Sequence, residues 1–530
     1  MQSYIITLGK RALNKNAAMW AKGFDLSLTG RLTRFLRASY QDSYIGRLLN
    51  HNMTGESGTF TLLRKITGTV ENRLKIPARI EARQREIIYA ALFALAALTA
   101  LSFFLLPFKQ SLIVLAAVLL TVGTLYKTEY GLYAAALLLP FAPLKALLAL
   151  ALVTFLSLII KAAKRPHFHF YLSPLFIPLL LYFGVMFYAT VTSVSFWDSA
   201  GEFFIPVTGL IYLFVIVNTI DSREKLDNLI TCLAVAGLIT ACYAIYQFYT
   251  GVNAIELKKE WVDITQNPEI KNRAYAVFDN PNLLAQYMIL LSTLSLGAAF
   301  GAKKAGLRIF FISTAATAVF CLLLTYSRGG WLAFVGALVF FTLFKNKLLV
   351  QLLAVAGIFV YSALPATIIN RLSTITSTKD TSNLYRLDTW QSTLSLLKTH
   401  WETGVGLGRK AFARVYYTHM INSNVVPHSH NLYLQIISEF GILGLVVFGW
   451  LFVGIFRLGL KLSAAGSAGA RSLNAGVMGA LAGFLFHSLV DYFLWYYKLG
   501  ILLWLLIAIV LVLEKLTAQQ ISSERNEQNA

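Results

Sequence analysis

Long apolar runs separated by short polar segments recur along the chain from residue 87 to residue 514. A helix needs about 20 mostly apolar residues to cross the hydrocarbon core of a bilayer. The pattern therefore predicts an all-α polytopic membrane protein with about 12–14 transmembrane helices. The pair 129–142 and 144–161 could be one long helix or a re-entrant hairpin hinged at Pro143. The candidate runs are 87–108, 110–126, 129–142, 144–161, 172–192, 202–220, 226–249, 283–301, 307–325, 330–345, 347–364, 430–457, 473–492 and 497–514.

The composition argues against a set of soluble domains. Hydrophobic residues make up 57% of the 530 residues and charged residues only 13%, about half the charged share of a soluble protein. A soluble fold could not bury so much apolar surface. The three cysteines, Cys232, Cys242 and Cys321, fall inside predicted spans without a metal-binding spacing, so neither a disulfide nor a metal site is expected. No signal peptide is expected, because a largely polar segment precedes the first run.

The loops alternate in charge. Short loops rich in lysine and arginine stay in the cytoplasm, and basic residues follow every second run from the fourth onward, for example Lys161, Arg223, Lys303, Lys345 and Arg471. We therefore expect these loops and both chain ends on the cytoplasmic side of a bacterial inner membrane. The long 365–429 segment is then extracytoplasmic.

Residues 1–86 carry 15 Lys/Arg against 6 Asp/Glu. This basic cytoplasmic N-terminal extension could form an amphipathic helix on the anionic leaflet or a partly disordered anchor. Nucleic-acid binding is not expected, because topology alone explains the charge. The predicted organisation is the extension 1–86, N-terminal transmembrane helices 87–364, an extracytoplasmic catalytic loop 365–429, C-terminal transmembrane helices 430–514 and a cytoplasmic tail 515–530.

The 365–429 loop carries seven Lys/Arg against three acidic residues, a balance unusual for a translocated segment. Simple solvated charge is one interpretation, and a site for an anion such as phosphate is the other. Arg386 adjoins an apolar stripe formed by Leu387, Trp390, Leu394, Leu397 and Trp401. Such a helix face could lie on the membrane or cap the bundle, and core packing is the ordinary interpretation. The glycine-rich "GVGLG" at 404–408 is only a weak phosphate-turn signal.

Two further arginines stand at the outer ends of predicted spans. Arg273 precedes the turn Asn280-Pro281-Asn282, and Arg328 lies in "SRGGW". Such arginines can snorkel to the membrane surface. However, a pyrophosphate needs several fixed guanidinium groups to be bound and stabilised as it leaves. Together with Arg386, they are candidate ligands of that group.

The densest signal is "PHSHNLYLQIISEFGILGLVVF" at 427–448. His430 and Asn431 are followed by nine residues, Gly441, two residues and Gly444. This spacing resembles the signature of the O-antigen ligase and O-antigen polymerase family of membrane glycosyltransferases. "SRGGW", the arginine-rich loop and "GVGLG" agree with the resemblance, which extends over roughly residues 87–514.

The resemblance implies a GT-C-like fold and a metal-independent, inverting glycosyltransferase that needs no cofactor. The donor would be a glycan on undecaprenyl pyrophosphate, and the acceptor a hydroxyl of a glycan or lipid in surface polysaccharide such as lipopolysaccharide. His430 would be the general base, since an imidazole suits proton transfer near neutral pH. The substrate-binding residues would be Arg273, Arg328, Arg386, His428 and Asn282.

Several alternatives stay open. His428 rivals His430, and either histidine could merely cap a helix. A zinc pair is not expected, because the sequence shows no third ligand at a suitable spacing. His487 and Asp491 are four residues apart and predict one helix face, from which Asp491 could orient a partner. Polymerase, ligase and protein O-oligosaccharyltransferase share the same donor chemistry. A transporter or flippase would instead require internal repeats and midplane charges, and the sequence shows neither.

Overall fold

The computed structural model describes residues 84–165, 168–252, 268–346, 348–376, 380–421 and 425–529. Its secondary structure over these ranges consists of seventeen α-helices and the 3-10 turn Thr374–Thr376, without a strand. The prediction of an amphipathic or disordered basic extension falls almost entirely on residues 1–83, outside the described residues. All described residues belong to one structural unit, Ile76–Ala530.

Each of the fourteen apolar runs corresponds to one helix, and three further helices lie in the loop between residues 365 and 429. The helices are α1 Gln84–Leu105, α2 Phe108–Tyr126, α3 Thr128–Leu138, α4 Leu144–Lys164, α5 Phe176–Val191, α6 Phe196–Thr219, α7 Arg223–Thr250, α8 Pro281–Gly301, α9 Ala305–Leu324, α10 Arg328–Lys345, α11 Leu349–Ala363, α12 Ala366–Ser373, α13 Thr381–His400, α14 Arg409–Tyr416, α15 Leu432–Ala465, α16 Ala468–His487 and α17 Tyr497–Asn529.

Nine of the described helices are long and apolar enough to cross a membrane, namely α2, α4, α6, α7, α8, α9, α10, α15 and α17. In addition, α5 and the Phe93–Leu105 part of α1 are apolar but shorter. The predicted all-α polytopic membrane fold is confirmed. The loss of hydrogen bonding to water inside a bilayer explains why apolar runs of this length become helices, which satisfy their own backbone groups.

The apolar pair at 129–161 forms two separate helices. Thr128, at the start of α3, lies against the last turns of α4: its hydroxyl is 2.8 Å from Ser157 Oγ and accepts a hydrogen bond from Lys161 Nζ at 2.9 Å. The two helices are therefore antiparallel, and Pro143 stands directly before α4. Of the two predicted alternatives, the structure excludes the single long helix.

The helices α8 and α16 and residues 497–517 of α17 form the centre of the bundle, where most side chains are buried. Small residues allow α8 and α16 to touch along their backbones. A Cβ added to Gly297 would lie 2.7 Å from the Cα of Gly476. Close backbone approach of this kind is how helices associate in a bilayer, where no hydrophobic effect drives them together.

Basic residues that follow alternate apolar runs lie together at one end of the bundle, which is called the basic end below. A Cβ on Gly301 would lie 3.4 Å from the guanidinium of Arg223 and 3.1 Å from the carbonyl of Gly469. Lys345, at the end of α10, donates a hydrogen bond to Ser472. The opposite ends of α8, α10 and α16 carry the residues of the site described below. The predicted alternation of basic and less basic loops therefore corresponds to the two opposite ends of the helix bundle.

The loop helix α13 buries only part of the predicted apolar stripe. Leu387, Leu394 and Trp401 are 45%, 52% and 48% exposed, so core packing is wrong for these three, while Leu397 of the same stripe is buried. The buried face bears hydroxyl residues and two leucines: Ser382, Thr389, Ser392, Thr393, Leu396 and Leu397. The hydroxyls satisfy backbone carbonyls, as Thr389 does with Tyr385 at 2.7 Å, and therefore tolerate burial.

The glycine-rich segment 404–408 docks on a break in α15. Gly441 interrupts that helix with φ 68° and ψ −174°. The amides of Val405 and Gly406 donate to the carbonyls of Ser438 and Glu439 at 2.8 and 3.2 Å. Because α15 uses these amides, they are not free to cradle a phosphate. The segment fastens the loop to the bundle.

We expect Gly441→Ala to destabilise the protein. A Cβ there would lie 1.9 Å from the carbonyl oxygen of Glu402, and the left-handed backbone alone costs an L-residue about 1–2 kcal/mol. Gly449→Ala in the same helix is the matched control, since a Cβ at Gly449 meets nothing within 4 Å. It should leave stability unchanged or raise it slightly. Thermal unfolding of both variants in detergent micelles measures the difference, and equal melting temperatures would show that the break tolerates a side chain.

Candidate active site

A cavity of about 280 Å³ lies at the end of the bundle opposite the basic end. All six predicted site residues line it, although they come from four separate segments of the chain. They are Arg273, Asn282, Arg328, Arg386, His428 and His430. Further lining residues include Asp279, Tyr326, Arg371, Tyr385, His487 and Trp495. The fold thus brings the sequence candidates together, while their chemical roles stay predictions.

A histidine–carboxylate pair lies at the cavity. His430 Nδ1 is 3.1 Å from Asp491 Oδ1. The carboxylate also accepts hydrogen bonds from Asn282 Nδ2 at 3.0 Å and from the backbone amide of Tyr492 at 2.9 Å. A carboxylate at Nδ1 favours the tautomer with the proton on that nitrogen. The Nε2 atom is then the basic nitrogen of the ring.

The carboxyl of Asp491 is held in its charged form. Burial alone would raise its pKa, but the hydrogen bond to His430 and the positive charge of Arg386 lower the pKa far below its ordinary value. The sequence predicted that Asp491 shares a helix face with His487, and this prediction is wrong. The helix α16 ends at His487, and Asp491 stands in the turn that follows. That turn aims the carboxylate at His430.

His430 has an unusual backbone conformation. Its φ of 50° lies in the left-handed region, which few residues other than glycine adopt. Its own amide donates to His428 Nδ1 at 3.3 Å. The next residue, Asn431, caps α15 by accepting from the amides of Tyr433 and Leu434 at 2.9 and 3.0 Å. Tyr326, also at the cavity, has φ 47°. Backbone strain of this kind is common at functional sites.

His428 is buried next to the pair. Its ring stacks on Trp495 with centroids 5.8 Å apart and an interplanar angle of 27°. Burial, together with the nearby charges of His430 and Arg409, lowers the pKa of His428 well below its ordinary value. His428 is therefore neutral near pH 7. Of the two histidines, only His430 pairs with the Asp491 carboxylate.

The fold brings a third possible metal ligand, which the sequence spacing did not show, close to the two histidines. His428, His430 and Asp491 each offer a ligand atom, and these atoms lie within 4.8 Å of one another. The sequence spacing showed no third ligand because the fold supplies Asp491 from a distant segment. The absence of a bound metal stays a prediction. The Arg386 guanidinium, whose charge acts on Asp491, would repel a metal ion at this position.

Two of the arginines that line the cavity donate hydrogen bonds to uncharged oxygen atoms. Arg273 donates from Nε to the carbonyl of Thr325 at 2.6 Å and from a terminal nitrogen to Asn282 Oδ1 at 3.1 Å. Arg386 donates to the carbonyl of Val490 at 2.9 Å and to Ser382 Oγ at 3.1 Å. Asn282 thereby connects Arg273 to Asp491.

These guanidinium groups repel one another. Burial lowers the pKa of Arg273, and the charges of Arg371, Arg386 and Arg328 lower it further. Burial likewise lowers the pKa of Arg386. A guanidinium nevertheless keeps its proton in proteins. The cavity therefore concentrates positive charge, which an anion would relieve.

Arg328 anchors the loop. Its two terminal nitrogens lie 3.2 and 2.8 Å from the two oxygens of Asp380, and one also donates to the carbonyl of Thr374 at 2.7 Å. Asp380 caps α13 by accepting from the amide of Asn383 at 3.2 Å. This ion pair is buried, with Asp380 fully shielded from solvent. Arg328 thus places α13, and with it Arg386, at the cavity.

The loop is not one basic surface, as its charge count suggested. Arg409 pairs with Glu202 at 3.4 Å, Lys410 pairs with Asp198 at 2.6 Å, and Arg414 donates to the carbonyl of Val194 at 2.8 Å. These three contacts are made with α6 and the residues before it. Among the described loop cations, the cavity is lined by Arg371 and Arg386. The other two guanidinium groups at the cavity, those of Arg273 and Arg328, come from outside the loop.

Sequence reasoning gave Asp491 a secondary place and missed Arg371, Tyr385 and Trp495. An acidic residue in an apolar run is a usable signal for Asp491. Arg371 was counted in the loop charge without a distinguishing feature. Nothing in the local pattern separates the two aromatic residues from the many others in the chain.

A family model described as O-antigen ligase matches residues 313–449. The match runs from α9 through the loop into α15, and includes Arg328, Arg386, His428 and His430. Arg273, Asn282 and Asp491 lie outside it, yet they line or adjoin the same cavity. No curated protein matches the chain. Residues 313–449 thus resemble an O-antigen ligase domain, in agreement with the sequence signature at His430, and they lie within a polytopic membrane protein.

Proposed function

We propose that this protein transfers a glycan from undecaprenyl pyrophosphate to a hydroxyl group of an acceptor glycan or lipid, in the manner of an O-antigen ligase. One observation carries the proposal: a single cavity combines the His430–Asp491 pair, 3.1 Å apart, with four guanidinium groups. The pair is suited to remove a proton from a hydroxyl. The arginines are suited to bind a pyrophosphate and to stabilise it as it leaves.

In the proposed reaction, Nε2 of His430 takes the proton of the acceptor hydroxyl as its oxygen attacks the anomeric carbon. The bond from that carbon to the pyrophosphate oxygen breaks, and its electron pair leaves with the pyrophosphate. A single displacement of this kind inverts the anomeric centre. Asp491 stabilises the imidazolium that forms. Arg273 and Arg386 stabilise the leaving charge, a task that metal ions perform in other transferases.

An apolar crevice next to the cavity supports a lipid-linked donor. The crevice, of about 50 Å³, lies among α5, α6, α15 and α17, and Trp495 lines both the crevice and the cavity. Arg409 stacks over Trp495 at 4.2 Å, at the point where the two spaces adjoin. A pyrophosphate in the cavity would therefore have an apolar surface beside it for the first isoprene units of its lipid. Aromatic and aliphatic side chains make up most of the crevice, among them Tyr182, Met186, Ile205, Phe440, Phe448 and Trp504.

We further propose that the cavity faces the extracytoplasmic side of a bacterial inner membrane. The support is the clustering of Arg223, Lys345 and the first turn of α16, which carries Arg471, at the basic end on the other side of the bundle. Basic loops of this kind are retained in the cytoplasm. The same separation of charge disfavours a flippase, for which charged groups near the middle of the spans are typical.

We expect His430→Asn to abolish most transfer and to leave donor binding nearly unchanged. Loss of a general base lowers kcat by about 10²–10⁴-fold. His400→Asn is the matched control, since His400 belongs to the same loop but is not among the residues that line the cavity. Transfer from a polyprenyl-pyrophosphate glycan in proteoliposomes measures kcat, and a fluorescent donor analogue measures binding. Full activity of His430→Asn would refute the proposed function.

We expect Arg386→Ala to weaken donor binding by about 10- to 100-fold, because a hydrogen bond to a charged group contributes about 1.5–3 kcal/mol. Arg414→Ala removes an exposed arginine of the same loop and should bind the donor normally. Titration of both variants with the donor analogue, and competition by inorganic pyrophosphate, test the assignment. Equal affinities in the two variants would exclude Arg386 from the pyrophosphate site.

We expect Met186→Trp to raise the KM for a long-chain donor several-fold, because the larger side chain fills the crevice. A donor shortened to two isoprene units should be used equally well by the variant and the unmodified protein. Phe187→Trp is the control, as Phe187 is the neighbouring residue and is mostly exposed. Transfer assays with both donors give the comparison. A KM unchanged for the long-chain donor would mean that the lipid lies elsewhere.

A further inference from the structure

A fully buried carboxyl, Glu439, lies beneath the histidine–aspartate pair and is not used by the reaction proposed above. We propose that Glu439 is a positioning residue, whose carboxyl joins the segment that carries His430 to the turn that carries Asp491. The inference rests on the proposed function, since it concerns the geometry of the same pair.

The first arm of this connection reaches the histidine segment. Gln435 Nε2 donates to Glu439 Oε1 at 2.8 Å. Gln435 Oε1 in turn accepts from the backbone amide of Ser429 at 2.7 Å. Ser429 lies between His428 and His430, and its hydroxyl donates to the carbonyl of Asn431 at 2.8 Å. The carboxyl thus fixes, through one amide side chain, the turn on which the proposed base stands.

The second arm reaches the aspartate turn. The hydroxyl of Tyr492 donates to Glu439 Oε2 at 3.4 Å. The backbone amide of the same tyrosine donates to Asp491 Oδ1 at 2.9 Å. Tyr492 therefore contacts Glu439 with its side chain and Asp491 with its backbone. Both oxygens of one carboxyl are used, one toward each member of the pair.

The backbone of Glu439 is itself held in place. Its carbonyl accepts from the amide of Gly406 at 3.2 Å. The helix breaks two residues later at Gly441. Glu439, Gln435 and Ser429 have no exposed surface. Water therefore cannot replace any of these hydrogen bonds, so the loss of one leaves a buried group unsatisfied.

Such positioning is needed because neither member of the pair stands on regular helix. His430 has φ 50°, and Asp491 lies in the turn after α16. A misplacement of about 1 Å at a reacting group costs on the order of 100-fold in rate. An ordinary core residue would affect stability and substrate binding together. A positioning residue affects kcat while the KM for the donor stays the same.

Tyr492→Phe is the mildest test, since it removes one hydroxyl from a side chain of the same shape. We expect it to lower kcat about three- to tenfold, with an unchanged donor KM and melting temperature. Tyr433→Phe is the matched control, because its hydroxyl donates to the carbonyl of Leu485 at 3.1 Å, away from Glu439. It should leave kcat unchanged. A normal kcat in Tyr492→Phe would overturn the inference.

Glu439→Leu and Glu439→Gln extend the test. We expect the leucine variant to lose about 100-fold in kcat, and the glutamine variant to recover most of it, since its carbonyl still accepts from Gln435. The double variant Glu439→Leu, Tyr492→Phe should be no slower than Glu439→Leu alone, because both changes cut the same connection. Additive losses, or a KM that rises with every loss of kcat, would overturn the inference. If Glu439→Leu does not fold, the comparison of Tyr492→Phe with its control Tyr433→Phe decides the inference by itself.

The two proposals fail in different ways. Activity that survives His430→Asn removes the proposed function, whatever the Glu439 variants do. Activity that requires His430 but is indifferent to Tyr492→Phe and Glu439→Leu removes only the positioning role.

Discussion

The buried ion pair between Arg328 and Asp380 determines where the site can form. Two charges shielded from water are costly, and their mutual attraction compensates only when the geometry is good and the other donors are satisfied. Here the remaining donors of Arg328 contact Thr374 and Asn383 at 2.7 and 3.1 Å. The pair joins the first residue of α10 to the cap of α13. Loss of Asp380 would leave Arg328 buried without its carboxylate, and loss of Arg328 would leave Asp380 with the longer 3.4 Å ion pair to Arg371. Either change would loosen the attachment of the helix that carries Arg386.

The spacing of the family signature has a structural meaning in this chain. Asn431 caps α15, nine helical residues follow, and Gly441 breaks the helix with a positive φ. The distance from cap to break is thus a little over two helical turns. That short helix holds Gln435 and Glu439 one turn apart, on the side facing the His430 segment. Gly441 is required because the backbone of the 402–406 segment passes where a side chain would stand.

Much of the fold could be predicted because a bilayer imposes it. Apolar runs with charged ends have to become helices, and all fourteen do. That five of the predicted residues come together could be expected, because arginines and histidines at one end of such a bundle are exceptional, and all six candidates line one cavity. Their roles stay predictions. The partner of His430 could not be assigned, since Asp491 is 61 residues away and stands in a turn that the pattern predicted as helix. For the same reason the third possible metal ligand escaped notice. The buried face of α13 was predicted only in part, because its hydroxyls satisfy backbone carbonyls of the same helix and can be buried, while Leu387 and Leu394 are left exposed.

The crowding of cations in the cavity links binding to catalysis on the proposed mechanism. Repulsion among Arg273, Arg371 and Arg386 is relieved by a bound anion, so the donor is drawn to the cavity before any chemistry occurs. The pyrophosphate gains negative charge as the glycosyl bond breaks, so the same guanidiniums bind the transition state more tightly than the donor. They also bind the departing lipid pyrophosphate more tightly than the donor that brought it. A site built this way accelerates the chemical step until release of the lipid product limits turnover. The apolar crevice beside Trp495 then has a second consequence, because it adds to the affinity that the product must overcome to leave.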